Sequence, residues 1–442
     1  MQNQTNKISR RSFLKDSTAA ASSAFVIIKP ELVRGAGQQM LKAGLVGCGG
    51  RGTGAVVNLL SGDPNVELVA MADLFEDKLE QSISRLRDPQ YVARNSKDVA
   101  QFTNTPLSEL VASVQKRINA TGERRFTGSD GYKKVIESGV DIVLLCTPPG
   151  WRPIHFEAAI EANKHVFTEK PVGTDPVGTR RFMAAAKKAE EKKLTVMSGA
   201  QRRSSQDYVE TIRKIHDGAL GEVLAAYAQY LSRPVMHAQA RDAKWSDLEW
   251  QHRNWYAFVW LCGDQVVEQH FHNIDCINWA LGAHPVRVVA LGGAVWRPRE
   301  ELYGNIYDHV SADFVYANGV HFSSACRQLP EPAYRNVSDL VVGTKGRSNC
   351  RDLASPGLNG QVQEQVDMCR SIRGEGPYIN HGMAVAESTM TAIMARESAY
   401  SGLEITWDMV MASQQDLMPK AFDFNLKLEP PPLPVPGVYK FS

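Results

Sequence analysis

The sequence predicts an α/β domain on a parallel sheet, followed by an α+β domain whose sheet is mainly antiparallel. Three observations carry this. Apolar strand-like runs alternate with helical patterns between residues 41 and 198, as βαβ units require. Further β-rich runs, separated by Gly, Pro and Asn, follow at 222–233, 286–297, 308–317, 319–328 and 337–343. The 442 residues accommodate two to three domains at about 150 residues each. The reading divides the chain into 1–36, 37–200 and 201–442.

Residues 1–36 read as an address. Ser9-Arg10-Arg11-Ser12-Phe13-Leu14-Lys15 precedes a weakly apolar, Ala/Ser-rich stretch from Ala19 to Ile28, then Lys29-Pro30. Paired arginines ahead of a short hydrophobic region are the pattern of a twin-arginine export signal. About ten apolar residues are too few for a stable membrane span. The expected location is periplasmic or otherwise exported, with the twin-arginine machinery as a partner. Such substrates cross already folded, commonly with any cofactor loaded in the cytoplasm.

The first strand, Leu41 to Val46, runs into Gly47-Cys48-Gly49-Gly50-Arg51-Gly52, and apolar helical spacing follows through Ala55, Val56, Leu59 and Leu60. This is G-x-G-x-x-G in its confirming context of strand, turn and helix, the dinucleotide fingerprint of a Rossmann domain. Gly47 permits the tight turn, Gly49 lets backbone approach a pyrophosphate, and Gly52 lets the helix pack against the strand. Gly50 and Arg51 complete the phosphate loop at the helix N-terminus. The second strand, Val66 to Ala72, ends in Asp73, 21 residues after Gly52. A carboxylate there suits a ribose 2′-hydroxyl and repels a 2′-phosphate, so NAD is expected over NADP. Asp73 is also placed to cap the next helix.

Residues 85–127 are polar and read as an insertion with a short helix from Leu107 to Ile118. A strand from Asp141 to Cys146 ends at Thr147-Pro148-Pro149, where a ligand-facing loop is expected. A helix from His155 to Ala162, a strand at Lys164 to Thr168 ending in Glu169-Lys170-Pro171, a helix from Pro176 to Lys192 and a strand from Leu194 to Ser198 complete the series.

These residues resemble the glucose–fructose oxidoreductase, inositol dehydrogenase and MocA (Gfo/Idh/MocA) family. The resemblance rests on Gly47 to Gly52, Asp73, Thr147-Pro148-Pro149, Lys164-His165-Val166 and Glu169-Lys170-Pro171. Gly263-Asp264, His272-Asn273-Ile274-Asp275 and Trp279-Ala280-Leu281-Gly282 add to it. It covers nearly everything from about residue 40 to 420 and is more specific for the family than for the reaction. It implies a Rossmann domain plus an α+β C-terminal domain with a large, mainly antiparallel open sheet that often forms oligomer contacts. It implies a nicotinamide cofactor, a sugar or cyclic polyol substrate, Glu169 beside the cofactor, and Lys170 near the nicotinamide and the reacting hydroxyl.

In the second half, residues 384–400 read as an amphipathic helix and Pro430 to Pro434 as an extended tail. The chemistry is expected around Glu268-Gln269-His270-Phe271-His272-Asn273-Ile274-Asp275. On one continuous helix, Glu268, His272 and Asp275 share a face, while His270 points almost opposite. That face suits an imidazole as general base or acid with a carboxylate fixing its tautomer. Relatives commonly carry Asp where Glu268 stands, which leaves open whether Glu268 orients His272 or meets substrate. A metal site from His270, His272 and Asp275 has suitable ligand types, but the helix splits the histidines, so none is expected.

Asn273 is read as a substrate contact, as is Arg202 in Gln201-Arg202-Arg203, for which a salt bridge at the domain boundary is the competing role. Tyr256 belongs to a run with Trp245, Trp250, Trp255 and Trp260 around His252, Arg253 and Asn254; it suits a sugar-stacking wall or a buried aromatic core.

Composition excludes other classes. With 43% hydrophobic and 22% charged residues the chain is ordinary globular protein. Fifty basic against 48 acidic residues give +2; without residues 1–36 the balance is 44 against 46, so nucleic acid is not an expected partner. Seven scattered cysteines with no C-x-x-C form neither a disulfide framework nor a usual zinc site, and suit folding in a reducing compartment. The expectation is an NAD-dependent oxidoreductase acting on a hydroxyl of a sugar, glycoside or cyclic polyol, with tightly bound NAD recycled internally, working as a homo-oligomer. The alternatives are an NAD-dependent glycosidase and a non-catalytic sugar-binding protein. The Tyr-Pro-Thr-His stretch of the family's glycosidases is absent, and the intact glycine motif, Asp73, Lys170 and His272 argue against the second.

Overall fold

The computed structural model describes residues 39–442 except 236–238 and 298–299. The export-signal reading lies outside the described residues.

The first sheet has six parallel strands: β1 (Leu41–Val46), β2 (Val66–Asp73), β3 (Arg125–Thr127), β4 (Ile142–Leu145), β5 (His165–Thr168) and β6 (Val196–Ser198). Their order is β3-β2-β1-β4-β5-β6, so the order reverses between β1 and β4. That is the switch point where an open α/β sheet leaves a crevice at its carboxyl ends. Strands covered on both faces need unbroken apolar runs, and Ile142-Val143-Leu144-Leu145 is fully buried.

The expected insertion at 85–127 is instead regular structure. Helices Pro89–Thr103 and Leu107–Lys116 precede β3, which pairs with β2 through Ala72↔Phe126 and completes the sheet. Asp88 caps the first of these, accepting from Gln90 N–H at 2.9 Å with proline at the first helical position. Only four of its fifteen residues are buried, so its apolar stripe is faint.

The second sheet contains β7 (Val223–Ser232), β8 (Arg287–Gly293), β9 (His309–Val315), β10 (His321–Gln328), β11 (Asn336–Gly343), β12 (Gly346–Ser348) and β13 (Ile405–Thr406). The order is β12-β11-β7-β10-β9-β8-β13, antiparallel throughout except for the parallel pair β10·β7. One face is covered by the helices Phe271–Leu281 and Gly382–Ser401.

The latter helix is not amphipathic as expected. It is buried on nearly every side because its polar groups pair internally: Ser388 donates to Asp275 at 2.8 Å, Asn278 to Thr391 at 3.0 Å, and Arg396 to Glu397 at 2.6 Å. The helix Gly360–Arg373 returns to the first domain, where Arg373 donates to Asp63 at 2.5 Å and Val366 packs on Gly62. All seven cysteines are free. No described helix is long and apolar enough to cross a membrane.

Candidate active site

A cleft of 550 Å³ runs from the turn after β1 to the loops after β5 and before Phe271–Leu281. At one end, Gly47 has φ +97 and no room for a Cβ, which would stand 2.6 Å from the Cys146 carbonyl carbon. A Cβ on Gly52 would collide with the Gly47 carbonyl oxygen, so the helix Gly50–Gly62 sits directly on the turn. At Gly49 and Gly50 a Cβ would meet nothing within 4 Å; these residues face open space in the cleft. Gly49 caps the helix without a side chain, and the first-turn N–H groups have no intrahelical acceptor.

Asp73 stands opposite. Its Oδ2 accepts from Cys48 N–H at 2.7 Å and its Oδ1 from Phe75 N–H at 3.0 Å, while burial pushes its carboxyl above the usual range. The next helix, Glu76–Arg87, has Phe75 at its cap with no side-chain capping bond, so Asp73 is not that cap. An open backbone cradle, orphan N–H donors and a fixed carboxylate fit a dinucleotide's pyrophosphate and ribose. Gly47, Gly49, Gly50, Arg51, Gly52, Asp73, Thr147, Pro148, Glu169 and Lys170 all line the cleft.

At the other end, Lys170 is buried, and its ammonium donates to the Glu268 carbonyl at 2.6 Å and to Glu268 Oε1 at 2.9 Å. Gln269 donates to Glu268 Oε2 at 2.7 Å. Glu169 pairs with Arg51, which also reaches the buried Glu364 at 3.1 Å. His272 lines the same end. Burial, then the cations Lys170, Arg202 and Arg51, holds its imidazole well below the usual range.

The continuous helix expected through 268–275 does not form. A short turn, Gln265–Glu268, is followed by a second helix starting at Phe271. The carbonyl of Gln265 accepts from both Gln269 N–H at 3.0 Å and His270 N–H at 3.2 Å, and the ladder restarts with Ile274 N–H on His270. This one-residue slip changes the angular phase by about 100°. Glu268 is thereby freed from the His272 face and meets Lys170 instead.

Four expected contacts leave the cleft for the same kind of reason: each finds a stronger partner inside. Asp275 is held by Arg203 (2.7 and 2.9 Å) and Ser388, so it does not orient His272. Asn273 donates to Asp339 at 2.7 Å and to the Ser338 carbonyl at 3.1 Å. Arg202 binds Asp339 at 2.9 Å and the His272 carbonyl at 3.0 Å, the salt-bridge alternative. Tyr256 is buried, and its hydroxyl accepts from Gln328 at 2.8 Å. Most of the Trp-rich run is core: Trp250 and Trp260 pack with Leu248 and Phe258. His270 bonds Ser324 at 2.6 Å, and no metal-holding group of three exists among the described residues.

The cleft also contains residues the sequence reading did not single out as contacts: Gln201 beside Arg202, Gln269, Arg253, Tyr132, His155 and Phe422. His155 meets Thr147 Oγ1 at 3.2 Å, and its ring lies 4.3 Å from that of Tyr132 at a tilt of 32°. Its place eight residues after Thr147, on the helix following a ligand-facing loop, was an available signal. Phe422 comes from the C-terminal tail, which carries no pattern.

Residues 41–198 match the oxidoreductase family with an NAD-binding Rossmann fold, Gfo/Idh/MocA, and residues 208–348 match the Gfo/Idh/MocA C-terminal domain. The chain belongs to the Gfo/Idh/MocA family. As a family member it has an NAD-binding first domain. It is 24% identical over 220 residues to scyllo-inositol 2-dehydrogenase (NAD(+)) of Bacillus subtilis, covering 49% of this chain and 57% of that one. It thus spans about half the length of the curated relatives it matches. Scyllo-inositol dehydrogenase of Lactobacillus casei, solved with NAD(H) and scyllo-inositol, matches at TM-score 0.60 and 15% identity, over 83% of this chain and 99% of that one. The WlbA dehydrogenase of Bordetella pertussis, solved with NADH and UDP-GlcNAcA, matches at TM-score 0.61 and 17% identity, over 84% and 98%. At such identities these two structures establish the shared fold.

Proposed function

We propose that this protein is an NAD-dependent oxidoreductase that oxidises a CH–OH group of a sugar, glycoside or cyclic polyol. We further propose that it is exported through the twin-arginine route, assembles as a homo-oligomer, and holds its cofactor tightly enough to reset it internally by reducing a second substrate. One observation carries the reading: Lys170, Glu268 and His272 occupy the end of the same cleft whose other end holds the glycine turn and Asp73.

NAD supplies the two-electron hydride acceptor. The chain supplies the proton chemistry. His272, kept neutral by burial and neighbouring cations, is ready to accept the hydroxyl proton. Lys170 has three N–H donors and gives two to Glu268, leaving one for the oxygen that becomes negative as its proton departs. Glu268 positions that ammonium. Arg202 positions His272 through its backbone carbonyl.

The test is made on protein recovered from the periplasmic fraction, with no cofactor added. Its nicotinamide absorbance is followed while neutral sugars, glycosides and inositols are supplied. A substrate-dependent reduced signal is expected, as is loss of the periplasmic protein on Arg10→Lys with Arg11→Lys. Protein carrying no nucleotide and answering no substrate sinks the self-resetting enzyme in favour of a binding role.

A further inference from the structure

The wall facing Asp73 is built partly by the other domain. Arg253 ends the helix Asp247–Arg253 and lines the cleft together with Phe75, which lies two residues beyond Asp73. Its Nη1 and Nη2 each donate at 3.1 Å to the two carboxylate oxygens of Asp77, on the first helix after β2. Its guanidinium carbon sits 4.1 Å from the centre of the Phe75 ring and 4.9 Å from that of Trp245. Nε donates to Glu249 at 2.9 Å. One cation is therefore fixed by a carboxylate and a ring of the dinucleotide domain, and by a carboxylate and a ring of its own segment.

That segment is braced. Asn254 Oδ1 accepts from Gln239 N–H at 2.6 Å, and the Trp250 indole donates to the Gln239 carbonyl at 3.2 Å. The C-terminal tail pins it from behind: Leu428 N–H donates to Asp247 at 2.9 Å, and Gln251 donates to the Leu428 carbonyl at 2.6 Å. Arg253, on Phe75 and Asp77, clasps this braced segment to the loop after Asp73.

We propose that the Asp247–Arg253 helix is a latch over the adenosine end of the bound dinucleotide, with Arg253 as the bolt and Phe75 and Asp77 as the catch. The inference rests on the NAD reading of the cleft. It assigns to this chain a means of retaining cofactor where none is supplied from solution. The geometry favours a bidentate guanidinium over a lysine, because a planar fork can pair with Asp77 while stacking on Phe75. The Asp77 and Glu249 carboxylates neutralise the guanidinium, so the latch does not offer a cation to a 2′-phosphate.

The experiment measures dissociation of ADP-ribose and affinity for nicotinamide mononucleotide, using the full chain after removal of endogenous nucleotide. Arg253→Ala is expected to speed ADP-ribose release at least tenfold while leaving nicotinamide mononucleotide affinity unchanged. Asp77→Asn moves ADP-ribose release in the same direction; its side chain is 58% exposed, so it keeps the test alive if Arg253→Ala fails to fold. Equal ADP-ribose release in wild type and the folded variants overturns the latch, and so does an equal loss of both fragments. A wild-type chain that binds neither fragment instead overturns the NAD reading beneath it.

Discussion

Lys170 and His272 are electrostatically coupled, and the coupling sets how the site should answer to pH. The imidazole is buried beside the Lys170 and Arg202 cations, and each of these influences opposes its protonation. A depressed value means the base is intact at neutral pH and is lost only as pH falls below the ordinary histidine value of about 6.5. The acidic limb of kcat/KM is therefore expected below pH 6.5. Lys170→Met removes one neighbouring cation and is expected to raise the His272 titration measured by NMR. It should also cost about 10²-fold or more in turnover through lost oxyanion support. A His272 titration that does not move in Lys170→Met removes the coupling. The residue types at this end were legible in the sequence, since E-K-P and the histidine stand where the resemblance implies. Their pairings were not: Asp275 found Arg203, Asn273 found Asp339, and Glu268 found Lys170. Partners remote in sequence decide such contacts.

The helix Gly50–Gly62 joins two glycines with opposite sensitivities. A Cβ at Gly52 collides with the Gly47 carbonyl, so Gly52→Ala must separate helix from turn, at about 1–3 kcal/mol. A Cβ at Gly49 meets nothing within 4 Å and the backbone there has φ −68, so Gly49→Ala keeps the fold. It fills part of the open space that suits a pyrophosphate. Thermal melts without cofactor are expected to show loss of Tm for Gly52→Ala and none for Gly49→Ala, while NAD titration shows weakened binding for Gly49→Ala. An unweakened Gly49→Ala would move the pyrophosphate elsewhere. This element was readable because turn geometry demands glycine at fixed spacing. The 268–275 stretch was misread as one helix because its side chains carry helical periodicity on both sides of the slip, while the shared Gln265 carbonyl leaves no trace in residue types. The helix Pro89–Thr103 had its capping signal in Asp88-Pro89, but too few buried positions to show a period.

Across the whole molecule, the second sheet has one face packed under helices and one turned outward. An antiparallel sheet with one solvated face should alternate apolar-in and polar-out. Here the outward positions include Tyr227, Val289 and Leu291, exposed by 47, 48 and 76%, with the half-buried Leu340 directly across from Tyr227. They lie on β7, β8 and β11, flanking a polar centre of Ser311, Asp313 and Ser323 on β9 and β10. Exposed apolar groups in such number on one flat face mark an interaction surface, and a closed symmetric assembly pairs like surfaces. The homo-oligomer we propose is built on this face, which points away from the cleft-lining helix of His272. Sedimentation is expected to find the wild type associated, and Leu291→Asp with Tyr227→Asp to shift it to monomer. A two-fold interface uses the same patch twice, so each substitution buries an uncompensated carboxylate on both sides of the seam. A wild type that sediments as a monomer at micromolar concentration leaves the exposed face to some other partner and ends the oligomer reading.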